Sequence, residues 1–180
     1  MKRVIHILLI CGIVTLLSGC SLLTSKGDKK AEEALAVSDN APFGVKLLDG
    51  WKITPQGELN GDSDLEAVNN DEAMFFLAMM EKKEDLAIDL EEYRDIVVDM
   101  NESSYGVPLS EAKATKVGSY DAYVNEFDIS SDNLNTHMWL FSVETDNYYG
   151  QLFAWTLESQ VKNSKGELMD IVNSFREMKN

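Results

Sequence analysis

Residues 111–157, EAKATKVGSYDAYVNEFDISSDNLNTHMWLFSVETDNYYGQLFAWTL, decide the fold. The stretch is broken where turn-forming residues gather, at Gly118-Ser119, Ser131-Asp132-Asn133 and Asp146-Asn147. Between the breaks lie four strand-like segments, residues 111–117, 122–129, 136–144 and 148–157, rich in β-branched and aromatic side chains. Connections this short join antiparallel neighbours, because a parallel pair needs a crossover of a dozen residues or more. Phe127, Trp139, Phe141, Tyr148, Tyr149, Phe153 and Trp155 crowd three successive strands. Alternation puts Tyr149, Phe153 and Trp155 on one face, with Gln151 among them, and turns Tyr148 to the other; Trp139 and Phe141 also share a face. Large aromatics in this pattern read as sheet core beneath helices.

On the N-terminal side, Asp89 and Glu92 form a capping box that opens a helix over residues 89–101. Leu90, Tyr93, Ile96, Val97 and Met100 fall on one face of it. Residues 73–80 are apolar at both alternating positions, as in a central strand covered on two sides. Residues 44–54, with Gly50-Trp51, read as a short hairpin or strand pair. On the C-terminal side, Ser164 and Glu167 open a last helix whose buried stripe is Leu168, Ile171, Val172, Phe175 and Met178. The order gives an α+β fold, a mostly antiparallel sheet with helices packed on it.

The chain has 180 residues, with 16 Lys+Arg against 31 Asp+Glu and a net charge of −15. Lys and Arg are absent from Val117 to Val161, so no basic patch exists there to displace counterions from a nucleic acid. Residues 1–19 read as a signal peptide: Lys2 and Arg3 precede an apolar run from Ile7 to Leu17, too short to span a bilayer. The run ends in Leu17-Ser18-Gly19-Cys20, which resembles the lipobox of bacterial lipoproteins. That resemblance implies a diacylglyceryl group on Cys20 and a place at the extracytoplasmic face of the cell membrane. Cys11 would leave with the signal, so no thiol would remain for a disulfide. Every Phe, Tyr and Trp lies at or beyond Phe43, and residues 20–42 read as a polar tether to a single domain over residues 43–180.

Gly50-Trp51, the apolar strand at 73–80, the helix at 89–101, Val117-Gly118, Tyr148-Tyr149 with Trp155-Thr156, and Val172 to Phe175 in the last helix follow one another in an order that resembles the PsbP-like, or DcrB-like, α/β/α sandwiches. Most members of that family are accessory subunits, assembly factors or envelope lipoproteins. The resemblance thus implies a binding module and not an enzyme.

Catalytic apparatus is sparse. His137 is the one histidine beyond the signal, inside a strand, and no Gly-x-Ser-x-Gly elbow or phosphate-binding glycine loop accompanies it. The stretch from Glu58 to Glu72 holds six acids and no base, and reads as a solvated loop. Asn60, Asp62, Asp64, Glu66 and Asp71 match ligand positions of a calcium loop, but Leu65 stands where the sharp turn needs glycine. Asp62, Asp64 and Glu66 are therefore candidates for looser calcium binding only, and no other cofactor is implied. Trp51, expected at an exposed edge, and Tyr148 are the candidates for contacting a ligand or partner. The reading is a lipid-anchored accessory module for another envelope protein. The alternatives are a small-ligand or calcium binder and, more remotely, an envelope-polymer hydrolase using a carboxylate pair.

Overall fold

A computed structural model describes residues 34–38, 42–131 and 133–178. Its centre is a seven-stranded antiparallel sheet. In chain order the strands are β3 (Lys52–Ile53), β4 (Leu65–Asn69), β5 (Met74–Lys82), β6 (Lys113–Val117), β7 (Tyr120–Ser131), β8 (Leu134–Glu144) and β9 (Tyr148–Leu157). They lie side by side as β3-β4-β5-β9-β8-β7-β6. A second, three-stranded sheet places β2 (Phe43–Leu47) between β1 (Ala34–Val37) and β10 (Arg176–Glu177). The helices are α1 (Lys83–Leu86), α2 (Leu90–Tyr105) and α3 (Val161–Asn173).

The large sheet is buried on both faces. Met74, Phe76 and Ala78 of β5, Trp139 and Phe141 of β8, and Leu152 of β9 pack under α3 and β2. Leu77, Leu140, Tyr149 and Phe153 point the other way, toward Tyr93 and Val97 of α2. Leu152 is fully buried at the middle of the sheet, and each such side chain stabilises the fold by about 1.5–3 kcal/mol. The layers are thus α2, sheet, and α3 with the small sheet. The four strands read between residues 111 and 157 form the meander expected, with Tyr149 and Phe153 on the face opposite Trp139 and Phe141.

Several expectations are corrected. Residues 44–54 do not pair with one another: β2 joins the small sheet, whereas β3 joins the edge of the large one. The tether boundary falls earlier than residue 43, because Ala34–Val37 pairs antiparallel with β2. An alternating Ala-Leu-Ala-Val run needs no aromatic to add a strand to an existing edge. The signal peptide, Cys11, Cys20 and the first part of the tether lie outside the described residues. The acidic stretch is not a simple loop, since β4 runs through it and is buried at all five positions.

The helix limits also move. The Asp89–Glu92 capping box is present, but α2 continues one turn further, to a left-handed cap at Gly106. Its buried residues are Tyr93, Val97 and Asn101, while Ile96 and Met100 are about half exposed. A 3₁₀ turn, Glu158–Gln160, leads directly into α3, so Ser164 is buried inside that helix and does not open it. The helix ends before Phe175, which is buried beyond it, and Met178 follows β10.

Candidate functional site

A cleft of about 590 Å³ opens at one end of the large sheet. Four chain segments line it. Lys82 and Lys83 stand where β5 passes into α1, residues 146–148 form the β8–β9 turn, and Glu177 and Met178 close it from the C-terminal side near Pro42. The turn follows from Asp146-Asn147 flanked by Thr145. The Thr145 backbone N–H donates to Tyr148 O at 2.8 Å, and Tyr148 N–H donates back to Thr145 Oγ1 at 3.0 Å.

Polar contacts tie the walls together. Lys83 donates its backbone N–H to Asn147 O at 3.0 Å and pairs its ammonium with Glu144. The hydrogen bond to Glu144 outweighs partial burial and holds the Lys83 ammonium above the ordinary lysine range. Asn147 Nδ2 donates to Glu177 Oε1 at 2.6 Å, and its backbone N–H to Glu177 Oε2 at 3.3 Å. Burial pushes the Glu177 carboxyl up, but these bonds, with others from Thr145 and Asp146, prevail and hold it below the usual carboxylate range. Met178 N–H donates to Pro42 O at 2.5 Å. The cleft is therefore preformed. It combines fixed acceptors, the exposed ammonium of Lys82 and the half-buried ring of Tyr148.

Of the candidate residues, Tyr148 is at this cleft and the others are elsewhere. Trp51 is 8 % exposed, in the core beneath α3, and donates Nε1–H to Glu167 Oε1 at 2.6 Å. A glycine-tryptophan pair at a strand end gives no sign that a carboxylate waits to receive the indole. Glu66 is 1 % exposed and wholly engaged. Its Oε1 accepts from Gly57 N at 3.1 Å, Asn60 N at 2.9 Å and Ser63 Oγ at 2.5 Å. Oε2 accepts from Leu59 N at 2.8 Å and Thr54 Oγ1 at 3.2 Å. Asp64 instead accepts from Met80 N at 2.7 Å, and partial burial lifts its carboxyl above the usual range. The exposed Asp62 gives its backbone N–H to Asn60 Oδ1. Of the acids matched to a calcium loop, Glu66 and Asp64 thus serve as internal acceptors, and no group of three metal-ligating side chains forms among the described residues.

His137 lies across from Asp128 on β7, with Nδ1 at 2.6 Å from Asp128 Oδ1 and Nε2 at 3.3 Å from Glu126 Oε2. Its ring meets Trp139 edge-on at 4.4 Å. Both ring nitrogens face carboxylates, an arrangement that suits cross-strand pairing better than activation of a nucleophile. The residues missed in the sequence are Lys83, Asn147 and Glu177. Each reaches the cleft through chain reversals that periodicity does not register, and Glu177 lies in a segment that reads as the end of a helix.

The chain matches no family model and no curated protein. Its fold is similar to several solved structures. The cyanobacterial PsbP (CyanoP) of Synechocystis has a TM-score of 0.59 at 15% identity, over 87% of this chain and 98% of that one. LpqN of Mycobacterium tuberculosis, involved in cell envelope biogenesis, has a TM-score of 0.54 at 12% identity, over 84% and 94%. A protein from Bacteroides thetaiotaomicron has a TM-score of 0.57 at 15% identity; the match covers 84% of this chain but only half of that longer one. The fold is the PsbP-like sandwich expected from the sequence, with helices on a mostly antiparallel sheet. No described helix is long and apolar enough to cross a membrane.

Proposed function

We propose that the protein is a lipoprotein of the cell envelope, anchored through Cys20, whose PsbP-like domain is a non-catalytic binding module for another envelope protein. The observation that carries this reading is the cleft at Tyr148. It is preformed, built from four segments distant in sequence, and supplies donors, acceptors and an aromatic face with no nucleophile and base placed together. Sites of that kind hold a partner's backbone and side chains in register. The Leu17-Ser18-Gly19-Cys20 motif supports the anchor, since two acyl chains suffice for stable attachment. A strongly acidic body gains nothing from anionic headgroups, so the lipid must do the holding. The fold likeness to LpqN, a protein of envelope biogenesis, supports the same setting.

The test is site-specific photocrosslinking in intact cells. A photoreactive residue at position 148 is expected to capture one membrane or wall protein in stoichiometric yield, whereas one at exposed position 162 on α3 captures none. Equal or absent capture from the two positions overturns the binding module. Cys20→Ser is expected to release the protein from the membrane fraction; continued membrane retention overturns the anchor.

A further inference from the structure

The second cavity among the described residues has no part in the proposed cleft. It is a slot of about 110 Å³ on the α2 side of the sheet, the size of one leucine or methionine side chain. Leu86 and Ile88 form one wall, Ile96 and Met100 the other, and Tyr93 and Gln151 lie at its base. The polar groups at the base are engaged with neighbouring side chains. Tyr93 Oη donates to Glu81 Oε1 at 3.0 Å, and its ring stacks on Tyr149 at 4.8 Å. Asn101 Nδ2 donates to Val97 O at 2.8 Å and reaches Gln151 Oε1 at 3.5 Å. What the slot offers a visitor is therefore apolar.

Ile96 and Met100, one turn apart, are 49% and 51% exposed, although helical spacing places them on the apolar face. The core takes Tyr93, Val97 and Asn101 instead and leaves this pair at the rim. Around the pair the surface is acidic. Glu81 stands at the slot itself, and Glu92, Asp95 and Asp99 occupy the exposed flank of α2 beside Ile96. Arg94, the one base in α2, turns to the opposite flank, over the Tyr123 ring at 4.5 Å. An apolar slot with an acidic rim selects an apolar side chain flanked by positive charge. The same acids repel an anionic bilayer, so the occupant is a polypeptide and not lipid.

We propose that this slot is a second docking site, independent of the cleft, which takes one leucine-sized side chain from a lysine- or arginine-rich segment of a partner protein. The probe is a fluorescein-labelled peptide, Lys-Lys-Leu-Lys-Lys, titrated into the purified full-length chain and followed by anisotropy, with the central Leu→Ser peptide as control. The leucine peptide is expected to bind at least tenfold tighter than the serine peptide, and more weakly as salt rises. The Ile96→Ser plus Met100→Ser variant is expected to lose that tenfold preference while still unfolding in one cooperative transition, because both side chains are half exposed. Equal binding of the two peptides, or an unchanged preference in the double variant, overturns the proposal by reducing the attraction to diffuse charge. Absence of binding at millimolar peptide overturns it as well.

Discussion

Replacing Glu66 by glutamine removes one charge and exchanges one oxygen for an NH₂ group, and so probes the loop between β3 and β4 with little change in volume. In the structure the carboxylate gathers five donors, three on Oε1 and two on Oε2. An amide has one accepting oxygen. Its better orientation keeps the oxygen toward Gly57, Asn60 and Ser63 and turns the NH₂ toward Leu59 and Thr54. The Thr54 hydroxyl can rotate to accept, but the Leu59 N–H cannot, and it then faces a donor inside a site only 1% exposed at Glu66. A buried donor left without an acceptor costs about 1–3 kcal/mol, and the lost charge weakens the remaining bonds further. We expect Glu66→Gln to destabilise the protein by about 2–3 kcal/mol. For a domain of this size, that lowers the melting temperature by roughly 5–10 °C. Urea denaturation should show a lower midpoint with an unchanged slope. A variant within about 0.5 kcal/mol of the parent would refute the reasoning, for the five bonds would then be no stronger than those the loop makes with water.

Two further outcomes follow from the small sheet and the cleft. A Cβ at Gly44 would stand 2.5 Å from the Ala36 backbone oxygen, so Gly44→Ala must push β1 off β2. The expected cost is about 1–3 kcal/mol, with faster amide exchange confined to the β1–β2 register; unchanged exchange there refutes the contact. Glu177 is held below its ordinary pKa, so its contribution to stability is complete above the ordinary value of 4.5 and fades as pH falls through the depressed one. Glu177→Gln should therefore lower the urea midpoint at pH 7 and merge with the parent at strongly acid pH; a constant gap at all pH values contradicts the assignment.

The sequence carries the meander, β5 and the start of α2 plainly, because alternation, a two-sided apolar run and a capping box are local signals. It conceals β4. Residues 65–69 alternate nothing, and Glu66 is a charge whose donors all lie in the loop before it, so a buried strand looks like a solvated one. The same cause hides the role of Trp51, whose partner Glu167 is distant in sequence. Tyr148 was legible as the aromatic turned away from its neighbours. The rest of the cleft was not, since Lys83, Asn147 and Glu177 meet only once three segments have closed. On α2, helical spacing alone assigns Ile96 and Met100 to the core, and only the packed structure shows that Asn101 takes that place.

The small sheet has a kinetic consequence. Its middle strand, β2, receives β1 from the N-terminal side and β10 from residues 176–177. In the large sheet, β5 likewise waits for β9. Pairings so far apart in sequence are slow to close and cannot form until the distant partner has been synthesised. A nascent chain can close its local hairpins early, but leaves β2 without β10 and β5 without β9 until those later strands have emerged. Each sheet is therefore completed late, by a strand from the C-terminal part of the described residues.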